Sequence, residues 1–231
     1  MTAEPQADRP AWADRLLEAS RGLRAQDISP YLVPSGAEAR SSAVLILLSD
    51  RAAQATEAAS VLLLERASTL RQHAGQIAFP GGASDPDDVD ATATALREAS
   101  EEVGLDAGSV DVLTTWPELH LSVTSFTVTP VLARWRTPHP VSAVDRGEVA
   151  GVATVPLTEL AKPANRFSVS LRSGLRGPGF TVGDLFVWGF TAGLLDALLR
   201  LGGWSRAWDA SVLRPVPAGL GTVVNPAIGA R

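Results

Sequence analysis

The stretch ALREASEEVGL, starting at Ala95, constrains this chain more than any other. It follows a loop reading FPGGASDPDDVD and places Glu98, Glu101 and Glu102 within five residues. An α-helix turns about 100° per residue, so the spacing i, i+3, i+4 puts the three carboxylates on one face. Leu96, Ala99 and Val103 then fall on the opposite face, which predicts packing against a sheet. Arg97 stands one turn before Glu101, within reach of an ion pair. Asp90 or Thr92 can cap the helix start, and Gly104 can end it. Three carboxylates side by side repel by roughly a few tenths of a kcal/mol per pair on an open surface, and by more when partly buried. A divalent cation among them reverses that balance, and hard carboxylate oxygens suit Mg2+ or Mn2+. On these residues alone, an ordinary solvated acidic face is the alternative.

Around this helix the chain alternates strand and helix patterns. AWADRLLEASRGLRA predicts an N-terminal helix. SAVLILLS and SVLLLERA read as buried strands, and the polar, alanine-rich stretch between them as a hairpin loop. A short strand at QIAF is broken by Pro80, Gly81 and Gly82. VDVLTTW, FTVTPVLARW, EVAGVATVPL, RFSVSL and FTVGDLFVW are further strand candidates, with a short helix in PLTELA. GFTAGLLDALLRL is a second amphipathic helix, and the Pro- and Gly-rich end reads as a weakly structured tail. One α+β domain with mixed strands and two main helices is the simplest architecture.

Composition narrows the function. The chain has 231 residues, 45% hydrophobic and 19% charged, so it buries a core and is not disordered. The net charge is −5, with no basic stripe, which argues against nucleic acid as a partner. Lys162 is the only lysine, and the arginines that carry the remaining positive charge favour forked contacts to phosphate. With no cysteine, disulfides, thiolate metal sites and cysteine nucleophiles are excluded. The N-terminus is polar and lacks the apolar run of a signal peptide. The longest apolar runs fall short of the about 20 residues that span a bilayer, which predicts a cytoplasmic protein without a membrane partner.

REASEEVGL, from Arg97 to Leu105, is similar to the core of the Nudix box. Upstream of the arginine, where the full box carries a glycine and a glutamate, this chain has Ala83 and Val89. Gly82 is one position away, and the nearest acids are Asp88 and Asp90. The stretch LLLERASTLRQHAGQIAFPGG, from Leu62 to Gly82, resembles the signature of the coenzyme A pyrophosphatase branch. Arg66, Leu70, Arg71, His73, Gly75, Phe79 and Pro80 to Gly82 carry that likeness, whereas Ala67 stands where serine is usual. EVAGVATVPLTEL and WGFTAGLL extend the resemblance, which covers roughly residues 43–199.

The resemblance implies a Nudix fold, a mixed β-sheet sandwiched between helices (α/β/α). It suggests an N-terminal extension over 1–40, a hydrolase domain over 41–202 and a C-terminal tail over 203–231. It implies hydrolysis of the pyrophosphate of coenzyme A or acyl-CoA to adenosine 3′,5′-bisphosphate and (acyl-)4′-phosphopantetheine. Glu98, Glu101 and Glu102 then bind Mg2+ or Mn2+, with the backbone carbonyl of Gly82 as a further ligand. Glu148 is the candidate for an additional ligand or base, or else merely a charge at a strand start. Arg97 orients a glutamate. Arg66 and Arg71 contact phosphate or adenosine, with solvated surface arginines as the alternative. His73 bonds a phosphate or holds its loop together. NADH, ADP-ribose or a nucleoside triphosphate are alternative substrates, and a non-catalytic nucleotide-binding regulator is the alternative of another class. The partner is a small molecule in each case, and a homodimer is left open.

Overall fold

The computed structural model describes residues 9–28, 39–50, 59–70, 72–121, 126–170 and 176–220. Helices α1 (Ala11–Ser20) and α2 (Ala25–Ile28) lead into β1 (Arg40–Asp50), β2 (Ala59–Arg66), β3 (Ile77–Ala78) and β4 (Gly81–Ala83). Helix α3 (Ala91–Val103) carries the glutamates. After it come β5 (Val110–Thr115), β6 (Leu119–Leu121), β7 (Phe126–Trp135), β8 (Val149–Pro156) and α4 (Leu157–Leu160). Strands β9 (Arg166–Ser170), β10 (Arg176–Val182) and β11 (Leu185–Val187), helix α5 (Gly189–Leu201) and β12 (Leu213–Arg214) complete the described elements.

Apolar runs such as AVLILL and VLLL, uninterrupted by charge, demand a strand covered on both faces. The main sheet has the order β3-β2-β1-β7-β5, with β4 on β1, β6 on β7 and β8 on β2. The β1–β7 pair is parallel, from Arg40↔Phe126 to Ser49↔Trp135, and the other pairs are antiparallel, so the sheet is mixed. Alternate side chains of β1 divide between two cores. Ala43, Leu45 and Leu47 pack under α3 with Ala95, Ala99 and Val103. Ile46 and Leu48 face the opposite layer, where α1, α4 and α5 supply Leu16, Leu157, Leu195 and Leu198. The fold is α+β, with the mixed sheet held between helices as in the Nudix architecture.

Three readings change. The N-terminal helix stops at Ser20, because Gly22 takes φ +72° and the chain restarts as α2. A second sheet forms, in the order β11-β10-β9-β12. The described part of the tail is not loose: β12 joins β9 in parallel, Leu213↔Ser168 and Arg214↔Val169. The loop between β1 and β2 lies outside the described residues over 51–58, although the antiparallel pairing of its flanks makes the unit a hairpin.

Candidate active site

Strands β1 and β2 pair only at one end, from Leu48↔Val61 to Asp50↔Ala59. Beyond that they separate, and the segment Ile77–Ala83 fills the gap. Its β3 bonds the far end of β2, and its β4 bonds the start of β1. The fit is tight. Gly81 has φ +155°, and a Cβ there would lie 2.3 Å from the carbonyl oxygen of Ala43. A Cβ on Gly82 would lie 2.4 Å from Glu98 Oε1 and 2.6 Å from Oε2. Glycine at both positions lets the chain pass between the sheet and a carboxylate.

Helix α3 presents that carboxylate. Asp90 caps its start, accepting from Ala93 N–H at 2.8 Å, and Gly104 closes its end in the left-handed conformation. Ala95, Ala99 and Val103 are its buried apolar residues, and Leu96 is only half-buried at the edge of that core. The sequence reading put Leu96, Ala99 and Val103 on the buried face and all three glutamates opposite it. Packing has instead rotated the helix so that Ala95, Glu98, Ala99, Glu102 and Val103, spaced i, i+3, i+4, i+7, i+8, form one inward stripe. The three glutamates therefore differ: the Glu102 side chain is 7% exposed, Glu98 18% and Glu101 61%.

Glu102 Oε2 accepts the Gly81 N–H at 3.0 Å, and Arg66 Nη1 stands 3.8 Å from Oε1. Burial pushes the Glu102 carboxyl up to about 7; the Gly81 N–H and Arg66 oppose the rise, and the charges of Glu98 and Glu148 add to it. Burial also raises Glu98, against the pull of Arg97. Two carboxyls crowded in this way resist ionising together.

Arg97 is the hub of the loop-to-helix junction. Its Nε and Nη2 fork onto Asp88 Oδ1 and Oδ2 at 3.1 and 3.0 Å, and Nη2 also donates to the Ala83 carbonyl at 3.0 Å. Its Nη1 donates to Glu98 Oε1 at 3.1 Å and Glu101 Oε2 at 3.0 Å. The fork from Arg97 holds the Asp88 carboxyl well below the usual carboxylate range, and Asp88 in turn raises the Arg97 guanidinium. Sequence reasoning named Asp88 only as an acid close to Val89 and gave it no role; Val89 itself is 89% exposed.

The remaining candidates divide. A β-bulge between Glu65 and Arg66, opposite β8, aims Arg66 at Glu102. Glu148 is exposed, sits just before β8, accepts the Ala67 N–H through its carbonyl at 2.8 Å and is close enough to raise Glu102. His73 occupies a turn with φ +57°, its Nδ1 bonded to Gln76 Oε1 at 2.9 Å. Arg71 lies outside the described residues.

Among the described residues, no group of three carboxylate or imidazole side chains is set to hold a metal ion unaided. What converges is Glu98, Glu102 and the backbone of Gly82, a cradle that a Cβ would fill. Its donors are oxygens, the preference of Mg2+ and Mn2+, and a dication relieves the repulsion between the two carboxyls. Glu101 can join by releasing Arg97, since an exposed helical ion pair is worth only about 0.3–0.5 kcal/mol. The residues present fit a divalent ion.

The chain matches the family described as NUDIX domain over residues 39–172. It is 38% identical over 199 residues to "Uncharacterized Nudix hydrolase NudL" of Cronobacter sakazakii, spanning 84% of this chain and 96% of that protein. The protein of the same description from Citrobacter koseri is 37% identical over 185 residues, 78% of this chain and 92% of its own length. A crystal structure of the Nudix hydrolase RenU from M. smegmatis aligns with a TM-score of 0.48 at 24% identity, over 71% of this chain and 86% of that one. Nudix hydrolases generally use divalent ions such as Mg2+ or Mn2+. With its glutamate helix seated against the Gly81–Gly82 turn and the family match running through both, the chain belongs to the Nudix family of hydrolases.

Proposed function

We propose that this Nudix hydrolase cleaves the pyrophosphate of coenzyme A or acyl-CoA, releasing adenosine 3′,5′-bisphosphate and (acyl-)4′-phosphopantetheine. One observation carries the reading. The segment Leu62–Gly82, which resembles the coenzyme A branch, runs from β2 to β4 and contributes Arg66 and Gly82 to the pocket that holds Glu98 and Glu102.

Glu98, Glu101, Glu102 and the carbonyl of Gly82 would hold Mg2+ or Mn2+. Such an ion would supply the charge that neutralises the pyrophosphate and the acidity that makes a water nucleophilic. The protein's own groups do the rest. Arg97, anchored by Asp88, fixes the Glu98 carboxylate against Gly82. Arg66 presents a guanidinium beside Glu102, suited to two phosphate oxygens at once. Glu148, near enough for its charge to raise Glu102, takes the proton of the attacking water or adds a ligand. His73, from the turn after Arg66, faces the substrate side, and Arg71 is the second residue that the resemblance assigns to phosphate or adenosine. Phosphoryl transfer needs this positioning and charge balance rather than a covalent intermediate. Because Glu102 keeps its proton up to about pH 7, cation binding at neutral pH releases a proton, and affinity rises with pH across that range.

The test is product analysis with coenzyme A, NADH, ADP-ribose and ATP, each with Mg2+ or Mn2+ and with a chelator. Adenosine 3′,5′-bisphosphate must form from coenzyme A only when the ion is present. Faster turnover of any of the other three refutes the choice of substrate.

A further inference from the structure

Residues 204–220 and the turn His73–Gln76 are remote in sequence but meet in the fold. The C-terminal segment is fastened along the second sheet at several points. The Trp208 ring lies 4.5 Å from the guanidinium of Arg166, whose other neighbour is the Phe180 ring at 4.9 Å. That arginine side chain is fully buried and ion-paired to Asp196 of α5, so it is a fixed post. Ser168 donates its hydroxyl to the Ala210 carbonyl at 2.7 Å and its N–H to the Val212 carbonyl at 2.8 Å. Arg214 covers the Phe167 ring at 4.5 Å. The chain then turns, Leu220 N–H to the Pro217 carbonyl at 3.2 Å, and delivers Leu220 onto Gly75. A Cβ on Gly75 would lie 3.0 Å from Leu220 Cδ2, so nothing larger than hydrogen separates them.

Gly75 is bonded directly to the candidate substrate residue: its N–H donates to the Arg66 carbonyl at 3.1 Å, and the Arg66 N–H donates to the Gln76 carbonyl at 3.0 Å. The turn between holds two residues in the left-handed region, His73 at φ +57° and Gly75 at φ +66°. A non-glycine residue in that region persists where its surroundings over-determine it. Leu220 packs from outside the turn on Gly75, two residues after His73.

We propose that residues 204–220 are a strap whose end, Leu220, holds the His73–Gln76 turn and with it Arg66, and so sets how tightly the enzyme grips its substrate. Leu220 is a positioning residue: it touches the turn, not the reacting atoms. The inference rests on the reading above that this turn and Arg66 face the substrate.

The experiment compares wild type, Leu220→Ala, Leu220→Met and Trp208→Leu in the full chain. Amide hydrogen exchange reports the turn and α3 separately, KM and kcat for coenzyme A are measured with Mg2+, and Mn2+ affinity is titrated. In Leu220→Ala and Trp208→Leu the turn amides exchange at least about tenfold faster with α3 unchanged. KM rises about fivefold or more, while kcat stays within about twofold. Mn2+ affinity is unaltered, and Leu220→Met behaves as wild type. Unchanged exchange in the turn overturns the strap. A loosened turn with unchanged KM overturns the inference by removing the turn from the substrate side. A wild-type enzyme inert on coenzyme A instead refutes the choice of substrate alone, and the kinetic arm is then run on the nucleotide derivative that is hydrolysed.

Discussion

Replacing Glu102 by glutamine should make the metal-free protein more stable while disabling it. In the unfolded chain this carboxyl loses its proton near 4.5, whereas in the folded protein it keeps it until about 7. Between those values the native state binds more protons than the unfolded state, so stability falls as pH rises from about 4.5 to about 7 and then levels off. At about 1.4 kcal/mol per pH unit, the full penalty is roughly 3 kcal/mol above pH 7 and vanishes below about 4.5. The side chain is 7% exposed, so little of this is screened by solvent. Glutamine keeps an acceptor for the Gly81 N–H and carries no charge. Urea denaturation with chelator should therefore show Glu102→Gln more stable than wild type by about 2–3 kcal/mol at pH 8.5 and equal to it at pH 4.5. Adding Mg2+ should stabilise wild type and leave the variant unmoved. Turnover should drop at least about 100-fold. Equal stabilities at pH 8.5, or a variant less stable than wild type there, would refute the account of a carboxylate held against its preference for the sake of a cation.

Asp88→Asn removes the charged half of the fork on Arg97; kcat/KM and Mn2+ affinity should each fall about 10–100-fold, and unchanged values in both would show that Arg97 needs no anchor. The same Asp88 has a lowered carboxyl, so its stabilisation is present above its ordinary value of 3.8 and lost as pH falls further, which acid titration of wild type against the variant reads directly. Gly82→Ala pushes a methyl into the Glu98 carboxylate, the movable end of a side chain; activity should fall roughly tenfold or more while the melting temperature shifts little, and wild-type activity would place Glu98 outside the site.

The glutamate helix was legible because its signals are local. Asp90, Gly104 and the periodic alanines lie within one or two turns of each other, and capping and periodicity act over that range. The inward stripe through Ala95, Glu98, Ala99, Glu102 and Val103 was also present in the spacing. Taking Leu96 with Ala99 and Val103 as the apolar face left out Ala95 and hid the burial of Glu102, because a small residue that allows close approach to the sheet is only weakly apolar. The acid that serves Arg97 was obscured by loop geometry: Asp88 reaches it through a turn in which Asp85 N–H donates to Asp88 Oδ2 at 2.9 Å, and no linear spacing reports such a turn.

By itself the sequence determined the α+β class, the helix that carries the carboxylates and the family resemblance, since each depends on residue type at short spacing. Only the tertiary structure decided which carboxylates turn inward, that Ile77–Ala83 wedges between two diverging strands, and that Leu220 comes to rest on Gly75. Those outcomes depend on how large apolar surfaces settle against one another, and burial is non-directional. Spacing along one segment therefore carries no information about the partner it meets.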